Sequence, residues 1–127
     1  MYRVAYDRVR NILTIHVSGF LTPDEVPAFA AEVAARAQTA AAIRGDFDVI
    51  VDSLDFPVQA NDVADLLSRI MHEGIVLTRG RAAVVVGSQL NKLQAERTLV
   101  HPRLQVFRAM DDAHAWLDAP KSVDTTV

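Results

Sequence analysis

Cysteine is absent from this chain of 127 residues. That excludes disulfides, thiolate metal sites and thiol nucleophiles, and leaves no sign of an oxidising compartment. No run of Lys and Arg stands out, and the formal charge of −3 argues against nucleic acid as a partner, because phosphate binding depends on clustered cations that release counterions. No apolar run reaches the length of a membrane span. The N-terminus begins a strand pattern at once, without the basic start, apolar stretch and small-residue cleavage site of a secretory leader. A cytoplasmic location without a transmembrane segment is the expectation. There is no internal repeat, low-complexity run or domain linker, no GxGxxG or Walker pattern, and no His pair at metal-ligand spacing.

What is present is ordinary for a globular chain, with 50% hydrophobic and 23% charged residues. The length is that of one domain, able to bury roughly two-thirds of its unfolded surface. Residues 1–118 form the expected domain, and the polar stretch 119–127 reads as a loose tail. Tyr2, Val4 and Tyr6 alternate with Arg3, Ala5 and Asp7, and the alternation resumes at Leu13, Ile15 and Val17, the pattern of a hairpin. Thr22-Pro23-Asp24-Glu25 suits a helix start, with Thr22 as cap, Pro23 in first position and Glu25 closing a capping box. Val26, Phe29, Ala30, Val33, Ala34 and Ala37 then recur at helical spacing as a narrow stripe fit to lie against a sheet. Gly45 is expected to take a left-handed conformation after that helix.

Residues 47–51 are apolar on both alternating faces, as in a central strand covered on both sides. Asn61 and Asp62, both good caps, open a helix marked by Val63, Leu66, Leu67, Ile70, Gly74 and Leu77, with Met71, Ile75 and Val76 as surplus apolar surface. Residues 81–87 read as a second central strand. A loop and helix over 88–100 follow, with Leu90, Leu93, Arg97 and Val100 in register. A short strand over 103–108 precedes a last helix capped by Asp111 and carrying Ala113, Trp116 and Leu117. Helix-length connections between the later strands imply right-handed crossovers. The expected fold is α/β, a single-domain mixed sheet of about five strands with about four helices: an N-terminal antiparallel hairpin, the remainder mostly parallel.

The carboxyl end of the first central strand, at Asp52-Ser53, faces the mouth of an open sheet, where α/β proteins meet ligands and partners. A serine nucleophile there needs a base and oxyanion donors. His72, the nearest His in sequence, lies roughly 15 Å along the helix axis. Asp52, Asp55 and Asp62 lack the spacing of a cation-binding loop, so neither a metal nor a cofactor is expected. Ser88, in Gly87-Ser88-Gln89, stands where a helix N-terminus can hold an anion. His16 falls on the strand face opposite Leu13, Ile15 and Val17. Trp116 reads as core.

Several motifs in this order resemble the STAS family, and its SpoIIAA-like branch in particular. They are Val17-Ser18-Gly19-Phe20-Leu21-Thr22 at the end of the hairpin, Val49-Ile50-Val51-Asp52, Arg81-Ala82-Ala83-Val84-Val85-Val86, and Val106-Phe107 followed by Asp112-Ala113-His114-Ala115-Trp116-Leu117. The similarity covers residues 2–118. It implies a SpoIIAA-like fold and a binding or regulatory module, often grouped with SEC14-type lipid-binding domains. Regulatory STAS domains carry a phosphorylatable Ser at the start of the helix after the third strand. Ala60-Asn61-Asp62-Val63 holds no Ser or Thr, so the phosphorylation switch is not expected. The leading expectation is a non-enzymatic domain that binds a protein partner, or itself as a homodimer, through Asn61, Asp62, Val58, Leu66 and Met71 beside Asp52, Ser53 and Ser88. The alternative is a domain for a small anionic or lipid ligand, held between the first two helices and the sheet. A small serine hydrolase using Ser53 or Ser88 is the third reading.

Overall fold

A computed structural model describes residues 1–120. Along the chain come β1 (Tyr2–Asp7), β2 (Ile12–Ser18), α1 (Val26–Ile43), β3 (Asp48–Asp55), α2 (Asn61–Ile75), β4 (Ala82–Val86), α3 (Gln89–Thr98), β5 (Leu104–Phe107) and α4 (Met110–Asp118). The strands form one sheet in the order β1-β2-β3-β4-β5. β1 and β2 pair antiparallel, and every later pair is parallel. The hairpin turn is fixed by Asp7, whose Oδ1 accepts the amides of Val9 at 3.0 Å and Arg10 at 3.2 Å. Asn11 leaves that turn with φ 58°, a left-handed conformation that Asn tolerates better than most side chains. Its amide is tied to Tyr6 and to Asp46. Arg44 grips Asp46 with two nitrogens and, with Asn11, holds that carboxyl below the usual aspartate range.

The strand order decides the layers. Three successive right-handed crossovers that step in one direction across a sheet must place their helices on the same face, so α1, α2 and α3 share a side. The larger core lies under them, with Leu13, Ile15, Val17, Val49, Val51, Val84 and Val106 facing Phe29, Val33 and Ala37. Only α4, which follows the last strand, is free to cover the other side. It does so over Ile50, Ala83 and Val85 with Ala113 and Leu117. Arg81 fastens the end of α4: its guanidinium lies 5.1 Å from the Trp116 ring centroid and donates to the carbonyls of Trp116, Ala119 and Pro120. The remainder of the tail read as loose, residues 121–127, lies outside the described residues. Among those described, no helix is long and apolar enough to cross a membrane.

Several boundaries differ from the sequence expectation for local reasons. Thr22 to Glu25 is a turn, with the Glu25 amide bonded to Thr22 O and the Glu25 carboxylate returning to the Thr22 amide. The latter bond holds the Glu25 carboxyl below its ordinary range. The helix itself starts at Val26, and the proline in its first turn is Pro27. Gly45 is not left-handed, since the positive φ values belong to Asn11 and Gly19. Ala60 is the N-cap of α2 and makes no side-chain cap bond; Asn61 and Asp62 are already helical, and Asp62 Oδ1 meets the Val63 amide. Asp111 likewise sits inside α4, behind an Ala109 N-cap. α2 ends at Ile75, which is buried in the core, whereas Val76 lies beyond the helix and is 73% exposed. In α3 the face bearing Leu90 and Leu93 points outward, and Val100, past the helix end, is exposed too, because Ala95 and Leu99, one turn apart, take the side against the core.

Candidate functional site

α3 buries no residue fully, and the space it leaves against α2 and the sheet is a cleft of about 360 Å³. Side chains alternate across a strand, so the floor is drawn from one face of three strands: Ile15 and Val17 of β2, Val51 and Ser53 of β3, Val84 and Val86 of β4. Phe29 and Val33 of α1 close the back. Leu67, Ile70 and Met71 of α2 form one wall, Ala95 of α3 and Leu99 at its C-cap the other. Two bonds tie α3 to the opposite side of the cleft, one to the β3–α2 loop and one to α2 itself. Asn91 Nδ2 donates to Phe56 O at 3.4 Å at one end, and Ser68 Oγ to Thr98 O at 3.4 Å at the other. Between them the rim carries polar groups, with Asn61 and Asp65 on α2 and Gln94 and Arg97 on α3. An apolar interior with a few polar groups at its edge is the usual constitution of a small-molecule site.

The loop from β3 to α2 is positioned by Gln59, which is buried. Its Oε1 accepts the Leu21 amide at 3.0 Å, and its Nε2 donates to Gly19 O at 3.1 Å and Pro57 O at 2.7 Å. One amide side chain thus satisfies the backbone of two loops at the carboxyl end of the sheet, where an unpaired buried N–H would be costly. Sequence reasoning missed it, because two of its three partners, Leu21 and Gly19, lie about forty residues upstream and nothing local marks it. The other side of the rim depends on Gly87. A Cβ there would stand 2.2 Å from Leu54 O, so the turn from β4 to α3 passes directly against the end of β3. Ser88 then caps α3, its Oγ accepting the Asn91 amide at 3.1 Å.

The residues singled out in the sequence separate into groups. Ser53, Val58, Asn61 and Met71 line the cleft. Leu66 packs instead beside Leu21, Val26 and Val63, Asp62 is exposed at the start of α2, and Ser88 is engaged as a cap. β3 runs on to Asp55, so Asp52 and Ser53 are successive strand residues on opposite faces. Ser53 turns toward the cleft, its Oγ donating to Val85 O at 2.6 Å. Asp52 turns to the other face, where it stands in register with His16 at 3.1 Å from its Nδ1. That pairing went unread because it exists only once β2 and β3 are aligned in parallel.

Every His ring has its partner away from Ser53 and Ser88. His72 Nδ1 lies 2.9 Å from Ser68 O, a carbonyl it can meet only as a donor, His101 Nδ1 accepts the Arg103 amide, and His114 faces Arg10. Neither hydroxyl has a base beside it among the described residues, and no group of three or more acidic, His or Cys side chains there is placed to hold a metal. The chain matches no family model and no curated protein.

Proposed function

We propose that this protein is a binding module whose cleft between α2, α3 and the sheet takes a small, largely apolar ligand. The observation that carries the reading is the cleft itself: about 360 Å³ of space, floored by branched side chains of three strands. That volume is at the lower end of the range for ligand sites. The position differs from the pocket expected between the first two helices, since α3 supplies one wall and α1 only the back. Native mass spectrometry of gently purified protein tests the reading. A co-purifying adduct that is lost in Ala95→Phe, which fills the cleft, is the expected result. Wild type that never carries a ligand, and whose cleft residues respond to no hydrophobic probe, would overturn it.

A second reading is docking of a protein partner or a second copy at the start of α2. It draws on Val58, 48% exposed, beside exposed Asn61 and Asp62. A STAS-like role belongs with this reading and rests on the hairpin, the run of parallel strands and a helix following β3. Concentration-dependent sedimentation distinguishes self-association from a monomeric binder.

A further inference from the structure

Two buried polar side chains line the cleft, Gln59 and Ser53. Gln59 is engaged with the backbone of the two loops, and the hydrogen-bonding state of Ser53 restricts what can lie against it. Ser53 is 6% exposed and lines the floor among Val17, Val51, Val84 and Val86. A serine hydroxyl offers one proton and two lone pairs. The proton is committed to Val85 O at 2.6 Å. No donor among the described residues reaches the lone pairs. Toward the cleft Ser53 can therefore only accept. We propose that the cleft takes a compact ring compound of the indole or phenol type, seated on the branched floor with its N–H or O–H donated to Ser53 Oγ.

Size and polarity agree with this class. A cleft of about 360 Å³ accommodates one fused ring system and is far too small for a two-chain lipid. A flat ring also matches a floor of branched side chains, while any polar substituent can reach Asn61, Asp65 or Gln94 at the rim. A purely apolar ring would leave the acceptor unused, and a ring with only acceptors would meet lone pair with lone pair.

This inference rests on the small-ligand reading above, and a matched pair of probes separates the two. Indole and benzofuran have nearly the same shape, but benzofuran has a ring oxygen in place of the N–H. Titration of the full chain with each, followed through backbone amide shifts, should move residues lining the cleft in both cases. Indole should bind about 2- to 10-fold more tightly, the effect of one net hydrogen bond. Without a waiting acceptor the order reverses, because burying an unpaired N–H is unfavourable. Ser53→Ala should weaken indole until it binds less tightly than benzofuran, and leave benzofuran unchanged. Should that variant not fold, Ser53→Cys, a much poorer acceptor, should likewise weaken indole alone. Equal binding, or tighter benzofuran, in the wild type overturns the donor assignment while the cleft remains a ligand site. Failure of both probes to shift any cleft residue overturns the ligand site as well.

Discussion

Replacing Gln59 by Ala should destabilise the protein by about 2–4 kcal/mol. The largest part is the Leu21 amide, which loses its acceptor at 3.0 Å in a buried position, and a buried unsatisfied donor costs about 1–3 kcal/mol. The carbonyls of Gly19 and Pro57 lose a donor each. They are less enclosed, so water replaces part of that loss, and about 0.5–1.5 kcal/mol apiece is an upper range. With an unfolding entropy of about 2.1 cal/mol/K per residue, the chain should lose roughly 7–15 °C in Tm. Thermal unfolding followed by circular dichroism measures this directly. Gln59→Glu is the control for packing, since it keeps the shape and removes the two donors. Its carboxylate would face two carbonyl oxygens, so folding favours the protonated acid and raises its pKa. Stability should then be best below the ordinary glutamate value of about 4.3 and fall as pH rises from there through the raised folded value. A loss in Gln59→Ala below about 2 °C, or a Gln59→Glu variant with the same pH dependence as wild type, would refute the assigned role of this side chain.

Two glycines should respond with opposite signs. Gly80→Ala puts a Cβ 2.2 Å from Phe47 O and 2.7 Å from Asp48 Oδ1 and should cost about 1–3 kcal/mol or more, whereas Gly74→Ala, inside α2 with nothing within 4 Å of the new atom, should gain about 0.5–1 kcal/mol. Urea midpoints of the two variants decide both. Because Arg44 and Asn11 depress the Asp46 pKa, its contribution is fully present above the unfolded aspartate value of about 3.9 and disappears as pH falls through the lower folded value. Asp46→Asn should flatten that part of the acid limb, and an unchanged Tm profile below pH 5 would contradict the assignment. His16 and Asp52 face solvent on the part of the sheet that α4 leaves open, with side chains 31% and 23% exposed. A double-mutant cycle should give a coupling of about 0.2–1 kcal/mol, and a value above about 2 would show that the face is shielded.

The sequence by itself determined the α/β class, the number and order of elements and the hairpin with its parallel continuation. These follow from short-range properties: alternation in Tyr2 to Val17, apolar runs at 47–51 and 82–86, and helical spacing from Val26 to Ala37. Helix ends were less legible. Thr22, Asn61, Asp62 and Asp111 are all residues that can cap, yet the turn at 22–25 and the caps at Ala60 and Ala109 were fixed by how each helix met the sheet. The facing of α3 was also undecided locally, because Leu90 and Leu93 on one side compete with Ala95 and Leu99 on the other, and only contact with β4 and β5 chooses. Ser53, Val58, Asn61 and Met71 were identified as candidates one at a time, but nothing in the chain order showed that they share a cleft with Phe29, Asn91 and Leu99. That required three crossovers to place three helices on one face and α3 to stand off from it. The separation of Asp52 from Ser53 across the sheet, and the meeting of Gln59 with Gly19 and Leu21, are likewise products of register and loop packing. Long-range geometry of this kind is set by the whole core at once, and no local pattern encodes it.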